Sequence, residues 1–174
     1  MGLAPVWFIT GEHDVGKTYL CQRFASQAHA LGWVAAGILS PAVLLDGKKI
    51  AIQALDVRMG ELHPLAVLAQ SGQGGTRTER WLFNDSAIEW GNTVWRAATP
   101  CDLLLVDELG PLELERGEGW IAAIPAVRSG QFKLALVVVR PELLAAARGL
   151  FPTARDLDVA AAEGCRLETL LHPF

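Results

Sequence analysis

The run Gly11-Glu12-His13-Asp14-Val15-Gly16-Lys17-Thr18 fits the G-x-x-x-x-G-K-[ST] spacing of a P-loop, or Walker A motif, and no other feature constrains the fold as much. A short apolar run, Val6-Trp7-Phe8-Ile9-Thr10, precedes it and reads as a buried strand. From Lys17 to about Leu31 the pattern turns helical, with Tyr19, Leu20, Phe24, Ala28 and Leu31 at helical spacing and Gly32 as the stop. The run therefore joins a strand to a helix N-terminus. There, unpaired backbone N–H groups and the positive end of the helix dipole both favour phosphate. Gly11, Glu12, His13, Asp14, Val15, Gly16, Lys17, Thr18 and Tyr19 are the expected nucleotide contacts. Lys17 is expected to reach the β- and γ-phosphates, and the Thr18 hydroxyl to hold Mg²⁺.

A second stretch narrows the chemistry. Leu103-Leu104-Leu105-Val106 is a continuous apolar run, as in a central parallel strand covered on both faces, and it ends in Asp107-Glu108. That places Asp107 at the carboxyl end of a strand, the rim where ligands bind in open α/β sheets. Asp107 is expected to face Mg²⁺ beside Thr18, and Glu108 to orient an attacking water and accept its proton.

Elsewhere, Trp33–Leu39 reads as a strand, and Asp46-Gly47 as a hairpin turn between Val43-Leu44-Leu45 and Lys49–Leu55. Gly72–Thr76 is a loop and Trp81-Leu82-Phe83 a short strand. Ser86 is expected to cap a helix running to about Ala98, with Glu89 completing a capping box. Gly119–Ser129 reads as a helix interrupted or kinked at Pro125. Leu134–Val139 is another fully apolar strand, Pro141 opens a helix through Arg148, and 156–174 adds a short strand and a helix. Strands alternating with helices predict one α/β domain over residues 1–174, a mainly parallel sheet between helices with an inserted β-hairpin.

Composition excludes other classes. A net charge of −4, with the arginines scattered, argues against nucleic-acid binding. Cys21, Cys101 and Cys165 are far apart without a C-x-x-C, which argues against a disulfide framework or a zinc site. No run is apolar and long enough for a membrane span, and none has the basic flank of a signal peptide. The expectation is a cytoplasmic, monomeric protein whose ligand is a nucleotide and whose protein partner, if any, is unspecified.

Two blocks carry a family resemblance: Gly11–Thr18, and Val106-Asp107-Glu108-Leu109-Gly110-Pro111-Leu112-Glu113-Leu114, which looks like a D-E-I-G-x-M-E-L pattern. With Gly37-Ile38-Leu39-Ser40-Pro41 and the hairpin after it, they resemble the small P-loop nucleoside triphosphatases, relatives of the human cancer-related nucleoside-triphosphatase. The likeness runs from about Val6 to Arg140. It implies a RecA/AAA-like fold and Mg²⁺-dependent hydrolysis of nucleoside triphosphates such as ATP and GTP, with loose base preference. By position Lys17 and Thr18 match the phosphate and metal residues, Asp107 the metal-side acid, Glu108 the catalytic carboxylate and Glu113 a further acid. The chain departs from the pattern at Asp14, where relatives usually have Gly, in the bulk of Val6-Trp7-Phe8, and in a weakly matching C-terminal stretch.

Charge developing on the γ-phosphoryl group calls for a cation beyond Lys17. Arg140 is the candidate, because it ends the strand Leu134–Val139 and should emerge at the rim of Asp107; Arg77 and Arg96 are weaker ones. His13 is read as solvent-exposed, and the six tryptophans as packing. Two other classes fit the same motifs. A small-molecule kinase would use Gly72–Arg80 as an arginine-bearing lid, and a nucleotide-gated binding module would hydrolyse slowly to switch a partner.

Overall fold

In the computed structural model, which describes residues 4–12, 14–72 and 74–171, the two most apolar runs lie side by side within a nine-stranded sheet. They are β7 (Leu103–Leu109) and β8 (Leu134–Val139), and their successive side chains go to opposite faces. Leu103, Leu105, Leu134, Leu136 and Val138 pack with Leu20, Cys21, Phe24 and Ala28 of α1 (Lys17–Ala30) and with Leu167 and Leu170 of α5 (Leu167–Leu171). Leu104, Val106, Ala135, Val137 and Val139 pack on the other face. Their neighbours are Trp95 of α2 (Asp85–Ala97), Ala123 and Val127 of α3 (Ala123–Arg128), and Ala147 of α4 (Leu144–Leu150). With helices on both sides, neither strand has a solvent face that a polar residue could occupy until Asp107.

β1 (Val6–Thr10) pairs in parallel with β8 on one side and with β9 (Arg155–Asp158) on the other. β2 (Ala35–Leu39) pairs in parallel with β7. The strand feeding the loop and the strand carrying Asp107 are thus not neighbours; β8 runs between them. Beyond β2 the sheet turns antiparallel through β4 (Lys48–Asp56), β5 (Leu62–Leu68) and β6 (Trp81–Phe83), while β3 (Ala42–Leu45) pairs with β4 alone. Gly37 is required at the β2–β7 contact: its φ is +111°, and a Cβ there would sit 2.0 Å from the Leu105 carbonyl oxygen.

The layered α/β architecture is the one the sequence predicts. The Asp46-Gly47 turn also forms where expected, with both residues at positive φ as a tight primed hairpin turn demands. The ribbon is larger than a hairpin, however, because β5 was not expected. Pro64 argues against a strand in sequence, and the fold accommodates it opposite Gln53, next to a register shift.

Three helix readings are corrected. Asn84, not Ser86, caps α2: its side-chain oxygen accepts from the Ser86 amide at 3.0 Å, so the helix starts at Asp85. The 119–129 segment is helical only from Ala123, which leaves Pro125 in the first turn, where its missing N–H has no intrahelical acceptor to lose. Pro141 opens a 3₁₀ turn, Pro141–Leu143, that leads into α4. A π-helical turn, Leu112–Arg116, follows β7 and has no simple sequence signature. Among the described residues no helix is long and apolar enough to cross a membrane.

Candidate functional site

β1 delivers the chain into the loop at Gly11, and Gly16 closes it as the N-cap of α1 with a left-handed φ of 93°. Asp14 is left-handed too, at φ 57°, a conformation that Asp tolerates better than most side chains. His13 lies outside the described residues. Lys17 begins α1 and folds back over the loop, its Nζ donating to the Gly11 carbonyl at 2.8 Å and the Glu12 carbonyl at 2.5 Å. The next side chain, Thr18, lies close to the carboxylate of Asp107, and the two line the same cleft.

How two consecutive acids come to share one cleft is a matter of backbone. In a regular strand Asp107 and Glu108 would point to opposite faces. The β7–β8 register breaks there, Val106 pairing with Val137 and Leu109 with Val139, so β7 carries one extra residue. This is a β-bulge, a device that re-aims side chains near sites. Glu108 adopts φ 84° within it, and both carboxylates line the same cleft. Asp107 stays 3% exposed, accepting from the Ser40 amide at 2.8 Å with the Thr18 side chain close by. Burial pushes its carboxyl up to about 6, against the downward pull of those hydrogen bonds. Glu108 meets Arg140, whose Nε donates to Oε1 from the end of the adjacent strand β8.

Glu113 plays a third part. It is half-buried in the π-helical turn, where Oε2 accepts from the Gly110 amide at 3.0 Å and Oε1 from the Trp120 amide at 2.8 Å. It thereby ties the segment leaving the bulge to the start of the next one. Burial, the larger influence, raises its carboxyl above the ordinary value despite these bonds.

These groups open on one cleft of about 520 Å³. Asp14 and Thr18 line it from the loop side, and Asp107, Glu108, Glu113 and Arg140 from the sheet rim. The ribbon and the 69–80 loop form the far wall with Lys49, Ile52, Leu65, Arg80, Trp81 and Phe83. Of the expected set, Asp14, Thr18, Asp107, Glu108 and Arg140 line this cleft, while Gly11, Glu12, Val15, Gly16, Lys17 and Tyr19 do not, Tyr19 being 71% exposed. Arg96 sits exposed in the last turn of α2, away from this cleft, and Arg77 offers its carbonyl to Arg116 at 2.8 Å. Trp81, Trp95 and Trp120 are buried in the core, as packing predicts. Sequence reading missed Ser40 and Lys49 as neighbours of Asp107, both from segments distant in the chain.

The donor set suits a hard divalent cation. A hydroxyl and a carboxylate close together present oxygen atoms alone, as Mg²⁺ prefers. Asp107 has no ion pair at contact distance among the described residues, so a cation beside it would offset buried charge that Lys49 meets only from farther away.

Comparison with known proteins agrees with this geometry. A family model described as NTPase matches residues 6–148. The chain is 30% identical over 121 residues to the nucleoside-triphosphatase THEP1 of Methanopyrus kandleri, covering 69% of this chain and 63% of that protein. It is 30% identical over 136 residues to THEP1 of Thermococcus kodakarensis, covering 76% of this chain and 75% of that protein. The chain thus spans less than two thirds of the Methanopyrus protein. In fold it is similar to the solution structure of a human cancer-related nucleoside triphosphatase, with TM-score 0.66 and 21% identity over 97% of this chain and 93% of that one. It is also similar to the crystal structure of THEP1 from Aquifex aeolicus, with TM-score 0.63 and 17% identity over 94% and 91%. With its phosphate loop and paired acids folded onto one rim, the chain belongs to the NTPase family.

Proposed function

We propose that this protein hydrolyses nucleoside triphosphates to diphosphate and phosphate, with Mg²⁺ and with loose preference for the base. The observation that carries the reading is the cleft itself, which is lined by Thr18 at the end of the phosphate loop and by the adjacent carboxylates of Asp107 and Glu108. The loop amides and Lys17 hold the phosphates, Lys17 exchanging the Gly11 and Glu12 carbonyls for phosphate oxygens. Thr18 and Asp107 would hold the metal, which would supply neutralisation of charge on the phosphate. Glu108 orients the attacking water and accepts its proton. Arg140 turns from Glu108 to the γ-phosphoryl group as charge develops there.

The same reading takes the protein as a single-domain, cytoplasmic monomer. One sheet running from β1 through β9 and three cysteines without disulfides favour it.

The test is phosphate release from ATP, GTP, CTP and UTP, with and without Mg²⁺, by the wild type and Glu108→Gln. Release that requires Mg²⁺, and falls by about 10²–10⁴ in the variant while nucleotide binding persists, is the expected result. Unchanged turnover in Glu108→Gln removes Glu108 from the mechanism, and no release from any of the four overturns the reading.

A further inference from the structure

The far wall of the cleft carries two cations that the hydrolytic scheme does not use. Lys49 of β4 and Arg80, just before β6, both rest on the ring of Trp81, with Nζ 5.3 Å and Cζ 5.1 Å from its centroid. Trp81 is 7% exposed, so the indole is a fixed platform. Among the described residues neither side chain has a hydrogen bond or an ion pair. The other cations of the cleft are engaged: Arg140 with Glu108, and Arg116 with Glu118 and the Arg77 carbonyl. That last bond also pins the 69–80 loop, and with it Arg80, against the π-helical turn.

Acids face the cleft as well, but none forms an ion pair with Lys49 or Arg80 among the described residues. Asp107 attracts Lys49 only from beyond contact distance and accepts from the Ser40 amide, Glu108 is held by Arg140, and Glu113 spends its oxygens on backbone amides. Glu79 precedes Arg80 and makes no ion pair with either cation, and Asp14 belongs to the loop at the opposite wall. The lining of the same cleft also includes the apolar side chains of Ile52, Leu65, Phe83 and Ile88. The cleft's 520 Å³ far exceeds the room for one phosphoryl group and a water, which occupies about 30 Å³ in the liquid.

We propose that Lys49 and Arg80 form a second anion subsite, which takes the phosphomonoester of a ring-bearing small molecule, with nucleoside monophosphates as the ligand class. Two cations on a rigid platform match a phosphate dianion, and the apolar stretch matches a flat organic body beside it. The subsite concerns binding alone, with no bond made or broken. It rests on the hydrolase reading only for which anion fills the loop. Its experiment measures binding without turnover, so the two can fail separately.

The experiment is calorimetric titration of adenosine monophosphate into the full chain, with the loop saturated by a non-hydrolysable ATP analogue and Mg²⁺. One further equivalent should bind, with inorganic phosphate and adenosine each at least about tenfold weaker because each lacks half of the contacts. The Lys49→Ala/Arg80→Ala double variant should lose about 10- to 100-fold in affinity, and Arg80→Ala, at an exposed residue, an intermediate amount. Lys17→Ala, in contrast, should still bind the monophosphate when the analogue no longer binds. Three results overturn the proposal: the analogue abolishes monophosphate binding, inorganic phosphate binds as tightly as the monophosphate, or the double variant binds it unchanged.

Discussion

Arg140 and Glu108 leave adjacent parallel strands and meet at the cleft rim, the guanidinium Nε donating to the carboxylate Oε1. The guanidinium occupies Oε1, so that oxygen is not open to an attacking water. In the proposed cycle the γ-phosphate competes for Arg140, and Glu108 becomes free to act on water only as the substrate arrives. The contact thus couples the two residues' roles.

The coupling makes the outcome of Arg140→Ala diagnostic. As the cation for developing phosphoryl charge, its loss should lower kcat by about 10³-fold or more, with KM changed far less. Steady-state phosphate release measures both constants. If Arg140 merely masked Glu108, the variant would be faster than the wild type, and that result would remove it from the transition state.

Glu108 also holds a left-handed backbone that is costly for any residue with a Cβ, by roughly 1–2 kcal/mol. Glu108→Ala and Glu108→Gly both delete the Arg140 contact, so comparing them isolates the backbone. The glycine variant should be the more stable by about 1 kcal/mol, after allowing for the larger entropy of an unfolded glycine. Urea denaturation of the pair measures this, and an alanine variant as stable as the glycine one would show that the bulge bears no strain.

That bulge marks where the sequence stops being informative. The sandwich was legible because Leu103–Val106 and Leu134–Val139 are apolar at every position, which only a strand covered on both faces needs to be. The loop was legible because phosphate binding by backbone amides fixes Gly11, Gly16, Lys17 and Thr18 at set spacings. Arg140 followed from its place at a strand end. By contrast, nothing in Asp107-Glu108 announces that a regular alternation is broken so that both acids turn into one cleft. Ser40 and Lys49 reach Asp107 through the pairing of β2 with β7 and the curl of the ribbon, which are long-range facts. β5 was hidden by Pro64, whose local preference the register shift overrides. At α2 two nearby polar residues, Asn84 and Ser86, compete to cap, and the helix takes the earlier one.

Glu113 offers a pH-dependent test of the turn after the bulge. Each of its oxygens accepts one backbone N–H, and a glutamine can accept at only one of them while presenting an NH₂ to the other donor. Glu113→Gln should therefore destabilise the fold by about 1–3 kcal/mol under acid conditions. The sign of the pH effect follows from burial, which raises the carboxyl above its ordinary 4.5 in the fold. As pH rises from there towards the raised value, the unfolded chain releases this proton first, and the wild type loses stability relative to it. Glutamine does not titrate. The gap between the proteins should thus be widest below about pH 4.5 and narrow as pH rises through the raised value, as thermal melts across that range will read. A gap that widens with pH would mean that Glu113 is stabilised in its charged form.

Asp14 is the residue that sets this loop apart, and two physical effects act on it together. Its φ of 57° is one that glycine adopts freely, so Asp14→Gly is compatible with the loop as built. Its carboxylate is exposed and lines the cleft beside Thr18, so it adds negative charge where phosphate oxygens are to bind. Removing that charge should tighten nucleotide binding by roughly 1 kcal/mol at low salt, or about fivefold in Kd. Because the charge is solvent-exposed, salt screens it within a Debye length, ~10 Å at 0.1 M and ~3 Å at 1 M. The advantage of the glycine variant should therefore shrink as salt is raised, which fluorescence titration with a nucleotide at several salt concentrations will show. Equal affinities at low salt would mean that Lys17 and the bound metal already neutralise the loop. A fivefold gain that persists at 1 M salt would assign the effect to backbone freedom instead of charge.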